Sequence, residues 1–270
     1  MTDLPTSSYA HLTDRSVLKI SGADALPLLQ GLVTCDMDRF NTEDVLFGAL
    51  LAPQGKIQFD FFLHKDEDAV LVDIDKLQAD AFLKRMKLYK LRSDVVLEDV
   101  SENQKVVVGW DGEDETSLDP RHKALGTRQV VSTTVDATLD EADYHSHRRA
   151  LGVPEAGKDF AYNDIFPHDA MMDKLTGVDF TKGCYVGQEV VSRMKHRGTA
   201  RKGFFILENT GPWPEYGTSI MRGEQMIGSL GSVGKSQALA LLRKDRLGEE
   251  QTVMLENGEN ADVLMPDYAK

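Results

Sequence analysis

Residues 181–189 read Thr-Lys-Gly-Cys-Tyr-Val-Gly-Gln-Glu and place one of the chain's two cysteines between glycines, ahead of a predicted helix. Glycine permits sharp turns and close backbone approach, and residues 186–196 carry apolar side chains at helical spacing. If the helix begins at Gly187, Cys184 precedes its positive end and lies two residues from Lys182. Both features favour a reactive thiolate. The alternative is a small buried residue, as lone cysteines often are.

The composition predicts a folded protein and argues against nucleic-acid binding. The chain has 270 residues, of which 41% are hydrophobic and 28% charged, and its net charge is -13. Proteins that bind the phosphate backbone over a broad face concentrate lysine and arginine instead. Residues 193–202 do carry five basic side chains and no acid, which suits a small anionic ligand. We therefore expect no direct contact with nucleic acid.

The sequence also indicates location and metal content. No stretch reaches the roughly 20 apolar residues of a membrane helix, and the first 14 residues lack the pattern of a secretory signal. We expect a cytoplasmic monomer without membrane association. Cys35 and Cys184 are too few to hold an iron–sulfur cluster or a structural zinc alone. His145, His147 and His168 have no further ligands at suitable spacing, so no metal site is predicted.

The first 112 residues predict an α+β unit of mostly antiparallel strands with helices on one face. Residues 52–56 read as the turn of a hairpin, and Ser21 is a candidate N-cap for the first helix. Apolar residues near helical spacing, namely Leu77, Ala81, Met86 or Leu88 and Tyr89, predict the second helix. The predicted strands are 16–20, 47–51, 57–63, 69–74, 95–100 and 105–110, and the predicted helices are 23–32 and 76–91.

Two further units follow. The acidic stretches 111–120 and 136–143 read as solvated connections, and the first suggests a domain edge. A middle α+β unit is predicted over 113–199, with a helix over 144–151. The pattern beyond residue 200 becomes all β and predicts a small antiparallel barrel over 200–270. Its predicted strands are 203–207, 218–221, 225–232, 238–243, 252–255 and 261–264.

Asp60 is an acidic residue within an otherwise apolar predicted strand. Period-2 alternation places it on the face opposite Ile57 and Phe59. Its carboxylate then faces either a ligand or a sheet surface that is open to water. Both interpretations stay open at this point.

The predicted helix after Gly187 carries polar side chains with two interpretations. Gln188 and Glu189 can contribute to a site, or they can cap the helix and complement its dipole. Arg193 and Arg197 lie four residues apart and can clamp a carboxylate, or they can form a solvated basic face.

Residues 182–189 resemble the signature of the YgfZ-type folate-binding proteins, which are relatives of the glycine-cleavage T protein (aminomethyltransferase). The likeness extends over nearly the whole chain. Further stretches that resemble family landmarks, in order, are 14–17, 21–22, 29–32, Thr34, 54–56, 89–92, 166–168 and 238–241.

The resemblance implies a three-subdomain, aminomethyltransferase-like fold whose central opening takes tetrahydrofolate or a one-carbon derivative. It implies a role in iron–sulfur cluster assembly or repair, with folate and iron–sulfur client or assembly proteins, including tRNA-modifying enzymes, as partners. Cys184 and Lys182 are the functional pair that it implies. The folate-binding residues expected on this basis are Asp60, Asp169, Tyr185, Gln188, Glu189, Arg193 and Arg197.

The alternative function is a folate-dependent aminomethyltransferase. T proteins carry an Asp-Asp pair where this chain has Phe59 and Asp60, and an acid–aromatic pair where it has Cys184 and Tyr185. Only Asp60 matches that pattern. These departures disfavour ordinary aminomethyl transfer.

Overall fold

Three β-sheets organise the chain in a computed structural model, which describes residues 9–112, 116–132, 137–198, 200–248 and 251–270. The strands are β1 (Tyr9–His11), β2 (Arg15–Ser21), β3 (Val45–Leu51), β4 (Ile57–Asp66), β5 (Ala69–Asp75), β6 (Val96–Asp99), β7 (Lys105–Gly109), β8 (Thr127–Val131), β9 (Lys202–Glu208), β10 (Ser219–Arg222), β11 (Gln225–Val233), β12 (Gln237–Arg243), β13 (Thr252–Met254) and β14 (Asn260–Leu264). The α-helices are α1 (Ala25–Gln30), α2 (Ala79–Lys90), α3 (Glu141–Ala150), α4 (Gln188–Arg197) and α5 (Lys244–Leu247), and short 3-10 helices span Met37–Asn41, Lys123–Leu125 and Asp267–Ala269.

The N-terminal part is built on a five-stranded antiparallel sheet in the order β3-β4-β5-β2-β6. Alternation along β4 determines what each face buries. Phe59 and Phe61 point to α2, where their rings lie 5.5 and 5.4 Å from that of Phe82. Phe62 points the other way, 5.1 Å from the ring of Phe47. Because both faces are covered, the sheet separates two hydrophobic cores.

The C-terminal part is a closed antiparallel barrel in the order β10-β11-β12-β9-β14-β13. All six predicted strands are present, each boundary within one residue of the prediction. Their inward side chains, such as Phe205, Leu207 and Ile220, form a core of their own. The predicted α+β fold with a C-terminal barrel is confirmed.

A third, three-stranded sheet in the order β1-β7-β8 was only partly predicted. Neither β1 nor β8 was expected, since β1 has three residues and β8 reads Thr-Arg-Gln-Val-Val. The helix expected over 144–151 begins earlier, at Glu141, because Asp140 and Asp143 form a capping box before the apolar residues start.

One local prediction is wrong. Ser21 does not cap α1, because it still belongs to β2, and Asp24 occupies the N-cap position. The predicted second helix is confirmed as α2, in which Ala79, Phe82 and Met86 are buried. Of the apolar residues that predicted it, Met86 faces the core, Tyr89 is half-buried, and Leu77, Ala81 and Leu88 are exposed.

Each predicted domain boundary, at 112/113 and 199/200, includes one residue outside those described, and residues 1–8 also lie outside them. The three-unit division therefore stays a prediction. Among the described helices, none has the length and apolar character needed to cross a bilayer.

Candidate functional site

The segment before α4 is fastened at its base by Asp179. The Asp179 N–H donates to the carbonyl of Thr34 at 2.9 Å. Its carboxylate accepts from the backbone N–H groups of Thr181 and Lys182 at 2.6 and 2.9 Å. Thr34 is itself buried, with its hydroxyl donating to Gly177 at 2.6 Å. The segment therefore starts from a fixed point on the N-terminal sheet.

The side chain of Lys182 continues this attachment. It is buried, and its Nζ donates to the carbonyl oxygens of Val33 and Cys35 at 2.7 and 2.6 Å. Burial lowers the pKa of Lys182, with the nearby acids Asp36 and Asp179 opposing that effect. The ammonium is thus held by the carbonyls of the 33–35 loop.

Two glycines close the other end of the segment. Gly187, the N-cap of α4, has φ +81°, and a Cβ there would lie 2.8 Å from the Ala52 carbonyl oxygen. Gly55, in the β3–β4 turn, has φ +83°, and a Cβ there would lie 2.9 Å from Val190. Both positions need a backbone conformation that side chains disfavour. The start of α4 therefore packs directly on the hairpin turn.

The two cysteines have opposite environments. Cys184 is exposed, between the anchored Lys182 and the start of α4, whereas Cys35 is buried. Burial raises the pKa of Cys35 to about 11, and a Cβ on Gly48 would lie 2.6 Å from its sulfur. The interpretation of Cys184 as a buried packing residue is wrong, and Cys35 has that role instead.

The expected partnership of Lys182 with Cys184 is not seen in these contacts. Although they are two residues apart, the lysine ammonium is bound to the Val33 and Cys35 carbonyls. Its action on the Cys184 thiol remains a prediction, while its observed contacts fix the segment that carries the thiol.

Tyr185 follows the exposed cysteine and points inward. Its side chain is buried, with the ring centre 5.4 Å from Lys182 Nζ. Burial raises the pKa of Tyr185 to about 12, and its hydroxyl has no hydrogen-bond partner among the described residues. The ring therefore packs beside the anchored ammonium.

The polar residues of α4 lie on its outer surface. Glu189 and Arg193 are exposed and form an ion pair at 2.5 Å, one helical turn apart. Arg197 is also exposed, and Gln188 is partly buried in the first turn. These positions agree with the solvated interpretation of the two arginines.

Asp60 lies elsewhere, on the inner face of β4, and is only 5% exposed. Its carboxylate faces the Ala156 N–H at 3.4 Å and the Tyr162 hydroxyl at 3.5 Å. Burial raises the pKa of Asp60 to about 6, although Arg15 opposes the shift. The interpretation of a face open to water is wrong.

Beside Asp60, the interior is filled by arginines around Phe62. The guanidinium carbons of Arg128, Arg121 and Arg15 lie 3.8, 4.6 and 5.8 Å from its ring centre. Arg121 and Arg128 both donate to the Tyr144 hydroxyl, at 2.7 and 3.1 Å. Such contacts combine cation–π attraction with burial of the ring.

Asp73 on β5 balances two of these charges. Its side chain is fully buried and accepts from Arg15 at 2.6 Å and from Arg128 at 2.7 Å. These neighbours hold the pKa of Asp73 well below its usual range, against the effect of burial. A second buried pair, Arg148 with Asp159 at 2.6 Å, lies on the α3 side. The interior is thus a dense network of paired charges.

A cavity of about 930 Å³ lies between the five-stranded sheet and the three-stranded sheet. His64 lines it and is 5% exposed, and its Nε2 has no hydrogen-bond partner among the described residues. The nearest acid to that nitrogen is Asp73, at 3.8 Å. Other polar groups in the wall are Asp44, Lys65, Asp66, Gln104, Thr116, Ser117, Gln129 and Ser132.

Asp169 has different neighbours from Asp60. It is buried, faces the Phe166 N–H at 3.4 Å, and has its pKa raised mainly by burial, with Lys202 and Lys244 opposing. Its neighbour His168 has two buried ring nitrogens without partners among the described residues. None of these contacts joins Asp169 to Asp60 or to the residues of α4, so the grouping of the seven folate residues around one ligand stays a prediction.

Three potential metal ligands do converge near α3. Ligand atoms of Asp14, Glu141 and His145 lie within 4.8 Å of one another. The Lys158 ammonium already contacts Asp14 at 2.5 Å, and His145 Nδ1 accepts from Arg148 at 3.0 Å. These contacts explain the cluster as part of the ion-pair network.

Sequence reasoning missed most of this interior. The residues involved are Arg15, His64, Asp73, Arg121, Arg128, Tyr144, Arg148, Glu155 and Asp159. The one available signal was His64, which alternation places on the same face of β4 as Asp60.

Comparisons with known proteins agree on the architecture. Residues 201–270 match the family model of the CAF17 C-terminal β-barrel domain. The glycine cleavage system aminomethyltransferase T from Bartonella henselae superposes with a TM-score of 0.73, covering 96% of this chain and 86% of that one at 14% identity. At that identity the likeness shows the fold alone, which is aminomethyltransferase-like.

Three of the curated relatives have the name "Iron-sulfur cluster assembly factor IBA57 homolog, mitochondrial". That of Mycosarcoma maydis is 33% identical over 239 residues, 77% of this chain and 59% of the relative. The relative from Dictyostelium discoideum is 30% identical over 247 residues, which cover 72% of this chain and 60% of the relative. The relative from Pyricularia oryzae is 27% identical over 311 residues, which cover 97% of this chain and 79% of the relative.

The chain spans less than two thirds of the length of the first two relatives. The matches support the resemblance to proteins related to the glycine-cleavage T protein, but none of these names is that of the YgfZ type. The expectation of a cytoplasmic protein is wrong by this comparison, because the relatives are named as mitochondrial.

Proposed function

We propose that this chain is an iron–sulfur cluster assembly factor that acts through the thiol of Cys184. The observation that carries the proposal is an exposed cysteine on a segment fixed at both ends, by Lys182 and by Gly187. A fixed segment presents the thiol in one place, which favours transient contact with a cluster. The names of the relatives support the same role.

In this proposal the iron–sulfur cluster is bound jointly by this chain and a partner protein. Iron–sulfur clusters are commonly held by four cysteine thiolates, and this chain has two cysteines, of which Cys35 is buried. The chain can therefore contribute one cysteine ligand at its surface, and the remaining ligands come from an assembly or client protein. Through the resemblance, tRNA-modifying enzymes are proposed among the clients.

The test compares the two cysteines in cells that lack the native protein. We expect Cys184→Ala to lower the activity of a cluster-dependent enzyme to the level of cells without the protein. Cys35→Ala is the matched control, because it removes the other thiol and leaves Cys184 in place. Full activity with Cys184→Ala at equal protein abundance would refute the role.

We place reduced folate, the cofactor implied by the resemblance, in the cavity beside His64. Its 930 Å³ lies within the range of small-molecule sites, and His64 in its wall has a buried Nε2 without a hydrogen-bond partner among the described residues. Asp44 and Gln129 offer acceptors for the amino groups of a pterin, and Lys65 a cation for the glutamate tail. The outer face of α4 offers no comparable enclosure.

Calorimetric titration with tetrahydrofolate distinguishes the two locations. His64→Ala is expected to weaken binding about tenfold, the usual scale for a lost buried hydrogen bond to a ligand. Arg193→Ala, at the surface position predicted from sequence, is expected to leave affinity unchanged. The reverse pattern, or binding unaffected by His64→Ala, would exclude the cavity without touching the role of Cys184.

Aminomethyl transfer, the alternative function, gains no support from the position of Asp60. The carboxylate is enclosed by Ala156 and Tyr162, and Phe59 packs against α2 where T proteins carry the other aspartate. The assembly role is therefore the function that the structure favours.

A further inference from the structure

An exposed apolar row runs along α2, on the side opposite its core contacts. Leu77, just before the helix, is 86% exposed, Leu88 is 67% exposed, and Leu91, just after it, is 82% exposed. Ala81 and Lys84 lie between them and are also exposed. Within the helix, Ala81 and Leu88 are seven residues apart and therefore lie on the same face, while Leu77 and Leu91 extend the exposed apolar surface beyond the two helix ends.

The buried side of α2 confirms that this row points outward. Ala79, Phe82 and Met86 face the sheet. At about 100° per residue, Ala81 and Leu88 lie about 200° from Ala79 and Met86, respectively. The leucines are therefore not loosely packed core residues, and nothing described in this chain covers them.

Unpaired cations flank the apolar row. Residues 76–92 carry six lysines and arginines and one acid, Asp80, in a chain of net charge -13. The side chains of Lys84, Arg85, Lys87 and Arg92 form no ion pair or hydrogen bond with any residue that the structure describes. Such a strip of positive charge favours a negatively charged partner.

The backbone at Leu91 adds an independent observation. Its φ is +42°, a conformation that a leucine disfavours. Strained residues of this kind persist where the surroundings or a function require them. Here the strain places an 82% exposed leucine beside an open depression of about 660 Å³, lined also by Asp24, Tyr89 and Arg92.

We propose that the solvent face of α2, from Leu77 to Leu91, is a docking site for an amphipathic helix of a partner protein, apolar along one row and acidic on its flanks. The row of leucines would pack against the apolar row of the partner. The flanking Lys84, Arg85, Lys87 and Arg92 would pair with its acids. This surface is separate from the Cys184 segment and does not depend on the chemistry proposed there.

Two other occupants fit less well. A second copy of this chain, paired in register in either direction, would place Lys84 against Lys84, which costs stability. A membrane is disfavoured because the apolar surface is one narrow row rather than a broad face.

The probe is a fluorescently labelled helical peptide of three heptads, with leucine at the two core positions of each heptad and glutamate at the flanking positions. The full chain is titrated into this peptide, and binding is followed by fluorescence anisotropy. We expect saturable binding that weakens with added salt. A matched peptide with lysine at the flanking positions should not bind. Equal binding of the two peptides, or no binding of the acidic one, would overturn the proposal.

Three variants locate the site. Leu88→Ser and Leu91→Gly should each weaken binding about tenfold, as loss of an apolar anchor does. Leu264→Ser, at an exposed leucine of the barrel, is the control and should have no effect. Leu91→Gly also guards against misfolding, because glycine accepts a positive φ and should keep the fold intact. Equal affinity of Leu88→Ser and the unmodified chain would contradict the proposal.

The competing occupants have their own readouts. Light scattering that shows a dimer lost in Leu88→Ser would assign the surface to self-association instead. Flotation with phosphatidylserine vesicles that is lost in Leu88→Ser would assign it to a membrane. Either result overturns the proposal.

Discussion

Replacing Asp73 with alanine is expected to lower the free energy of unfolding by about 3–5 kcal/mol, the usual cost of leaving a buried charge without its partner. Arg15 would keep Glu155, at 3.6 Å, but among the described residues Arg128 would keep the Tyr144 hydroxyl and the ring of Phe62 and no carboxylate. Arg128 is fully buried and cannot turn to water. Urea unfolding at neutral pH measures the loss.

Asp66→Ala is the control for this experiment. Asp66 pairs with Lys19 at 3.1 Å, and both side chains are 36% exposed. Exposed pairs of this kind contribute about 0–1 kcal/mol. If Asp73→Ala fails to fold, Asp73→Asn keeps the shape of the side chain and is expected to give an intermediate loss. A cost for Asp73→Ala no greater than that for Asp66→Ala would show that the network contributes little.

The second large effect is a pH-dependent gain in stability from Asp60→Asn. Burial raises the pKa of Asp60 to about 6, whereas an aspartate in an unfolded chain titrates near 3.9, about two units lower. Between these values the folded protein holds a proton that the unfolded chain has lost. The contribution of Asp60 to the free energy of unfolding therefore decreases as the pH rises from about 4 to about 6, and it is fully lost above that range.

Asparagine removes that titration. We expect Asp60→Asn to be about 2–3 kcal/mol more stable than the unmodified chain at pH 7.5, since two pKa units correspond to about 2.7 kcal/mol. The difference should vanish below about pH 3, where the aspartate is neutral in both states. Parallel urea titrations at the two pH values measure it. A difference that is constant with pH would mean that Asp60 is not the titrating group.

The sequence predicted those elements whose signals are local. Barrel strands such as β9 and β12 are short apolar runs in a segment with many glycine and proline turns, so each could be recognised without knowing its partners. Strand β8 could not, because its Arg128 and Gln129 read as a polar loop. The buried Arg128 is paired with Asp73, which is 55 residues away.

The same distinction applies to the site. The position of Cys184 before a helix followed from glycine and helix spacing nearby, and the structure confirms that position. The direction of Lys182 could not be predicted, because its carbonyl acceptor at Val33 lies 149 residues earlier. The second helix was predicted correctly, but helical spacing does not say which side faces the core, so the exposure of Leu88 became known only from the structure.

The contacts of Lys182 with the 33–35 loop also bear on the exposed edge of the five-stranded sheet. Strand β3 is an outer strand and would expose unpaired backbone groups along one side, a template for pairing with another chain. The 33–35 loop covers it: Thr34 accepts from and donates to Ala49, and Val33 bridges to Leu50. Lys182 holds that loop by two carbonyls. The segment that carries Cys184 therefore also keeps the edge strand β3 covered. Loss of its folded conformation would affect solubility as well as the chemistry of the thiol.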